Sequence, residues 1–129
     1  MDNSHTIEHF EIPVDDINRA QNFYKGLFGW EITSAGPDFE EYLLINTGAG
    51  GVGGGMMKRS NADQQILNYI TVDNIDESLE KLEKLGGNIL MPKMPVTGIG
   101  WNAVVQDTEN NTFGLFQREI PSPKYEGAE

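Results

Sequence analysis

Val14-Asp15-Asp16-Ile17 and Val72-Asp73-Asn74-Ile75 are one phrase written twice, 58 residues apart. The offset holds downstream without a gap, with Leu27 over Leu85 and Gly29 over Gly87. A repeat of this kind decides the fold, because each copy is one supersecondary unit and both copies share its architecture. An apolar, partly β-branched stretch precedes each phrase, His9 to Val14 and Leu67 to Val72, short enough to be a strand. The phrase then offers an oxygen acceptor for a helix N-cap, Asp15 or Asp16 in the first copy and Asp73 or Asn74 in the second. Beyond it Ile17, Ala20, Phe23, Tyr24 and Leu27 recur at spacings of three and four, as do Ile75, Leu79, Leu82 and Leu85, so each helix has one buried stripe. Gly29 and the pair Gly86-Gly87 supply the left-handed residue that ends such helices.

After each stop the chain reads as strand, Trp30 to Thr33 and Asn88 to Met91. Two more strands complete each copy: Tyr42 to Asn46 and Val52 to Met57, then Trp101 to Gln106 and Thr112 to Gln117, the last pair joined by the turn-rich Asp107 to Asn111. The unit is βαβββ, twice, an α+β fold. The 129 residues make a single domain, with module one at about 7–64, module two at about 65–118 and a flexible tail at 119–129 that carries Pro121 and Pro123.

Composition narrows the function. Hydrophobic residues make up 38% and charged residues 22%, enough apolar surface for a core. A net charge of −11 has the wrong sign for a phosphate backbone or an anionic membrane surface, so neither nucleic acid nor membrane is expected as partner. There is no cysteine, which removes disulfides, thiolate metal sites and cysteine nucleophiles together; with no signal peptide or membrane span in view, a cytoplasmic protein is expected. Glycine is in excess, 15 residues, six of them between Gly48 and Gly55. Gly48-Ala49-Gly50-Gly51-Val52-Gly53 satisfies G-x-G-x-x-G after a strand, yet Lys58 to Gln65 has no helical stripe to supply the amides that hold a pyrophosphate. The run is instead read as a turn, Gly48 to Gly51, followed by a strand, Gly53 to Gly55, that something else approaches closely.

The duplication, with His9-Phe10-Glu11-Ile12-Pro13-Val14-Asp15-Asp16 leading to Phe23-Tyr24 and Phe28-Gly29-Trp30, and Asp107 to Gly114 leading to Leu115-Phe116-Gln117, resembles the vicinal oxygen chelate superfamily of glyoxalase I, bleomycin-resistance proteins and extradiol dioxygenases. It is most similar to the short glyoxalase-like members. The resemblance implies that the two modules form a curved, cup-like mixed sheet with the helices outside, that the protein is a homodimer, and that an enzyme of this kind holds a metal with one ligand from the first and one from the last strand of each copy. His9 falls on the first of these positions. Leu67 stands at the second, Gly114 at the last-strand position of module two, and Gly54 or Gly55 at that of module one. His9 alone is retained, so no metal site is expected; the alternative is a divalent metal (Zn, Ni, Mn or Fe) at a rebuilt site.

Alternation turns His9, Glu11 and Pro13 to the cup, and the offset adds Leu67, Tyr69 and Thr71. Tyr42, Leu44, Met56, Trp101, Ala103 and Phe116 are further expected walls. The ligand-binding set is therefore His9, Glu11, Tyr42, Met56, Leu67, Tyr69, Trp101 and Phe116, an apolar and aromatic lining with few polar groups. His9 and Glu11 are the catalytic candidates, the carboxylate being expected to raise the imidazole pKa. The expected function is binding of a small, partly aromatic molecule without a complete metal site. A lyase, isomerase or dioxygenase-type enzyme is the first alternative and a dimeric interaction module with a filled cup the second. Lys58-Arg59 is read as a solvated strand end rather than an anion site.

Overall fold

The computed structural model describes residues 5–39 and 41–119. They contain the βαβββ unit twice. Module one runs β1 (Ile7–Val14), α1 (Ile17–Phe28), β2 (Glu31–Ser34), a short 3-10 turn at Pro37–Phe39, β3 (Tyr42–Asn46) and β4 (Gly53–Lys58). Module two runs β5 (Leu67–Thr71), α2 (Ile75–Lys84), β6 (Asn88–Val96), β7 (Gly100–Gln106) and β8 (Thr112–Arg118). Glu8–Asn68 make one compact unit, and the remaining described residues, those before Glu8 included, make the other. Apart from Glu119, the tail expected at 119–129 lies outside the described residues. Among the described residues no helix is long and apolar enough to cross a membrane.

The repeated phrase behaves as its chemistry requires. Asp16 and Asn74 are the N-caps, both with extended backbone, their side chains accepting from the amides of Arg19 and Glu77. Gly29, at φ +72, closes α1 in the left-handed region with its amide on the Lys25 carbonyl. Each module then forms a mixed four-stranded sheet. In module one the order is β2-β3-β4-β1, with β1 parallel to β4; in module two β5 is parallel to β8, and β7 and β6 follow antiparallel. Long crossovers through the helix are what parallel pairs need, and the phrase supplies one per module.

Each helix covers one face of its own sheet. Ile12, Val14, Ile32, Ile45 and Met56 form the first core, flanked by Phe10, Ile17, Ala20, Tyr24 and Trp30. Val72, Ile75, Leu79, Ala103, Val105 and Leu115 form the second, flanked by Trp101 and Phe113. The two stripes are unequal. Ile75 and Leu79 of α2 are buried, whereas α1 buries no residue and leaves Phe23 and Leu27 largely exposed, so the stripe expected of α1 is narrower than its periodicity.

β6 is longer than the expected Asn88 to Met91, continuing through Pro92 and Pro95 to Val96. Its pairing with β7 shifts register between Ile89 and Met91 and again between Met91 and Met94, so Pro92 falls in an irregular stretch of the ladder, while Pro95 keeps its place opposite Trp101. No helix follows β4: residues 59–66 are irregular, so the glycine run lacks a phosphate-binding helix. Arg59 is also not a solvated strand end. It donates to the Asp15 carboxylate at 3.2 Å, to the Pro13 carbonyl at 3.2 Å and to the Gln64 carbonyl, tying this loop to β1.

Candidate functional site

The register in β1 and β4 sets the geometry of the face opposite α1. His9 pairs with Gly53, Glu11 with Gly55 and Pro13 with Met57, so these residues share one face, while Phe10, Ile12 and Met56 share the other. Tyr42 pairs with Met57 and Leu44 with Gly55, which puts β3's Tyr42 on the His9 face as well. The Tyr42 ring then lies diagonally across β4, over Gly55, and its hydroxyl reaches β1. It accepts from His9 Nε2 at 2.6 Å and donates to Glu11 Oε2 at 2.9 Å. A phenol has one proton, so giving it to Glu11 requires the imidazole to carry its own proton on Nε2.

This three-residue chain explains the glycines beneath it. A Cβ on Gly55 would overlap the Tyr42 hydroxyl and Cζ, and one on Gly54, on the opposite face, would overlap the Phe10 ring and carbonyl. Both sides of β4 are covered by an aromatic ring from a neighbouring strand, the close approach anticipated for Gly53 to Gly55. Of the two glycines it is Gly55 that shares the His9 face.

Half burial, not the carboxylate, dominates His9. Desolvation lowers its pKa from the ordinary imidazole value, and Glu11 only partly opposes that shift. The expected rise is therefore corrected, and the imidazole is neutral at pH 7. The arrangement is a neutral donor, a bridging hydroxyl and a carboxylate acceptor on one apolar face, a set able to grip a polar group or pass a proton along it.

Module two repeats the positions with different chemistry. Tyr69 pairs with Gly114 and Thr71 with Phe116, so these four share a face, and a Cβ on Gly114 would overlap the Tyr69 ring. Leu67, by alternation along β5, belongs to that face too. The Arg118 guanidinium lies 5.7 Å from the centre of the Phe116 ring. Three expected walls are displaced. Met56 is completely buried in the core under α1, and Met57 takes the face it was assigned. Trp101 pairs with Gln117 and Ala103 with Leu115, which places both on the α2 side, and Asn102, opposite Phe116, is on the open face. In each case the strand parity was set one residue out. Trp101 instead sits under the Lys93 ammonium, 5.2 Å from its ring centre, and Lys93 also pairs with Asp76 of α2 at 3.0 Å.

Would these residues hold the metal that the resemblance implies? Leu67 offers no donor, and the last-strand positions are glycines beneath tyrosine rings. His9 Nε2 and Glu11 are both engaged by Tyr42, and among the described residues no three His, Cys, Asp or Glu side chains come together. The donor set does not fit a metal centre, which needs three or four such ligands.

Known proteins agree on the class. The family described as Bleomycin resistance protein-like N-terminal matches residues 6–48, which hold the phrase, the helix and Tyr42. The anthracycline biosynthesis protein DnrV of Streptomyces peucetius is 26% identical over 93% of this chain and 48% of its own length. The chain spans about half the length of the curated relatives it matches. Among solved structures, methylmalonyl-CoA epimerase from Mycobacterium tuberculosis superposes with a TM-score of 0.67 at 14% identity, covering 98% of this chain and 96% of that one. A glyoxalase/bleomycin resistance protein/dioxygenase superfamily member from Vibrio splendidus 12B01 does so at 0.63 and 16% identity, covering 88% and 99%. At these identities the structures show the fold. Taken with the family match over residues 6–48 and the curated relatives, they make the chain glyoxalase-like in fold and similar to the bleomycin-resistance and glyoxalase proteins.

Proposed function

We propose that the protein binds a small, partly aromatic molecule, without a metal, on the face of module one that carries His9, Glu11 and Tyr42. The observation that carries this reading is the Tyr42 hydroxyl, held between imidazole and carboxylate at 2.6 and 2.9 Å beside Pro13, Leu44, Gly53, Gly55 and Met57 of the same face. The only formal charge in that chain is a carboxylate, and the whole protein carries −11, so the ligand should present hydrogen-bond donors or positive charge beside its aromatic part. A relation to two anthracycline biosynthesis proteins supports a planar aromatic ligand. A cytoplasmic homodimer is part of the proposal, checked by sedimentation equilibrium, which should give twice the chain mass.

Titration with an amino-bearing anthracycline, followed by its own fluorescence, tests the reading. Saturable binding is expected, weakened about ten-fold in Glu11→Gln because a hydrogen bond to a charged group is lost. Binding that is absent up to about 1 mM, or unchanged in Glu11→Gln and Tyr42→Phe, overturns it.

The same hydrogen-bonded chain favours one second reading, an acid–base enzyme in which Glu11 takes a proton from a carbon acid and Tyr42 with His9 steadies the charge. Deuterium uptake from heavy water into a bound carbon acid, abolished in Glu11→Gln, would support it; no uptake above the buffer rate would dismiss it.

A further inference from the structure

We infer that Tyr42 is the residue that makes module one a hydrogen-bonding site rather than a metal site; this rests on the metal-free reading above. Two independent features of the ring carry it. Its body fills the space that a ligand side chain on residue 55 would need, since even a Cβ there overlaps the Tyr42 hydroxyl and Cζ. Its hydroxyl takes His9 Nε2 and Glu11 Oε2, the donors that flank that space on β1. Gly55 pairs directly with Glu11 and lies two residues from His9's partner Gly53, so a carboxylate on residue 55 would share their face. Position 55 is thus closed while the tyrosine stays hydrogen-bonded, and a carboxylate placed there has to displace the ring before it can serve as a third ligand.

Module two shows that covering this position is a general device of the chain. Gly114 also lies under a tyrosine, but that ring comes from Tyr69, its direct partner on β5. The ring closes the position in both modules, and in module one its hydroxyl also joins an imidazole and a carboxylate.

Titration of the purified full chain with nickel(II), read by calorimetry, tests the inference without any organic ligand. Wild type and Gly55→Glu should show no saturable site below about 1 mM, whereas Tyr42→Ala/Gly55→Glu should gain one equivalent bound at least about ten-fold more tightly. A folded double variant, shown by circular dichroism, that gains nothing would overturn the role of Tyr42 and leave the metal-free reading standing. One equivalent taken up by wild type and lost in His9→Ala would overturn both. Should the double variant not fold, melting of Gly55→Ala in the wild-type and Tyr42→Ala backgrounds reads the steric part. A loss of melting temperature in the first and little in the second supports it, and equal losses sink it.

Discussion

The two modules answer one structural position in two ways. Glu11 faces Gly55 in module one and Tyr69 faces Gly114 in module two, equivalent rungs of equivalent parallel pairs. In module two the residue on the first strand is itself the ring that covers the glycine. In module one that residue stays a carboxylate, and the ring is delivered from β3, one strand further away. The loan lets Glu11 accept from that ring's hydroxyl, and His9 donates to the same hydroxyl where module two has Leu67. Duplication thus gave two scaffolds that differ in which strand delivers the covering ring.

The sharpest way to break the comparison is in the cores. Ile75, completely buried, and Ile17, half-buried, occupy the same place in the repeated phrase. Ile75→Ala should destabilise by about 2–5 kcal/mol and Ile17→Ala by about half as much, read from urea midpoints. Equal losses would mean that α1 is better packed than its exposed Phe23 and Leu27 indicate.

Next come the glycines. A Cβ on Gly114 meets Tyr69 along the ring and lies 3.0 Å from Cγ, the root of a buried side chain, whereas one on Gly55 meets the tip of Tyr42, which can swing away. Gly114→Ala should therefore cost about 3 kcal/mol and Gly55→Ala about 1–2 kcal/mol, the latter with loss of the Tyr42 hydrogen bonds. The reverse order in thermal melts would refute the idea that the module-one ring is held only at its end.

The caps should be alike. Asp16→Ala and Asn74→Ala remove the same bond from equivalent helices, at about 1 kcal/mol each, and circular dichroism melts that differ widely would show unequal reliance on helix docking.

The smallest effect concerns pH. His9 has a folded-state pKa below its unfolded value, so the unfolded chain binds more protons on this group as pH falls below about 6.5. Its contribution to stability is level above that pH and is lost as pH falls toward the folded value. His9→Gln should flatten this limb, and Leu67→Ala in module two should leave its slope unchanged; a slope surviving in His9→Gln assigns it elsewhere.

How much of this was legible in the sequence follows from what each residue can encode. The phrase Val-Asp-Asp-Ile carries its own capping acceptor and stripe, so the helices, their starts and the βαβββ order could be read directly. Alternation along β1 puts His9 and Glu11 on one face, and Tyr42, expected only as a further wall, shares it. Met56 and Trp101 were set on the wrong face, because a strand's parity depends on where its first rung pairs, and a run such as Gly53-Gly54-Gly55-Met56-Met57 has no side-chain alternation to fix it. The bridge itself was illegible. It joins residues 31 and 33 positions apart through a diagonal over a third strand, and only register reveals that path.

The prolines of β6 have a consequence for how the chain behaves at high concentration. This is the last strand of its module, nine residues long, with Leu90, Met91 and Met94 exposed along it. A regular edge of that length and composition would template another chain and begin aggregation. Pro92 and Pro95 each remove an amide from it, the two register shifts bend it, and Lys93 turns inward to Asp76 and Trp101. An acidic protein already repels its copies; β6 adds a geometric safeguard that salt cannot screen.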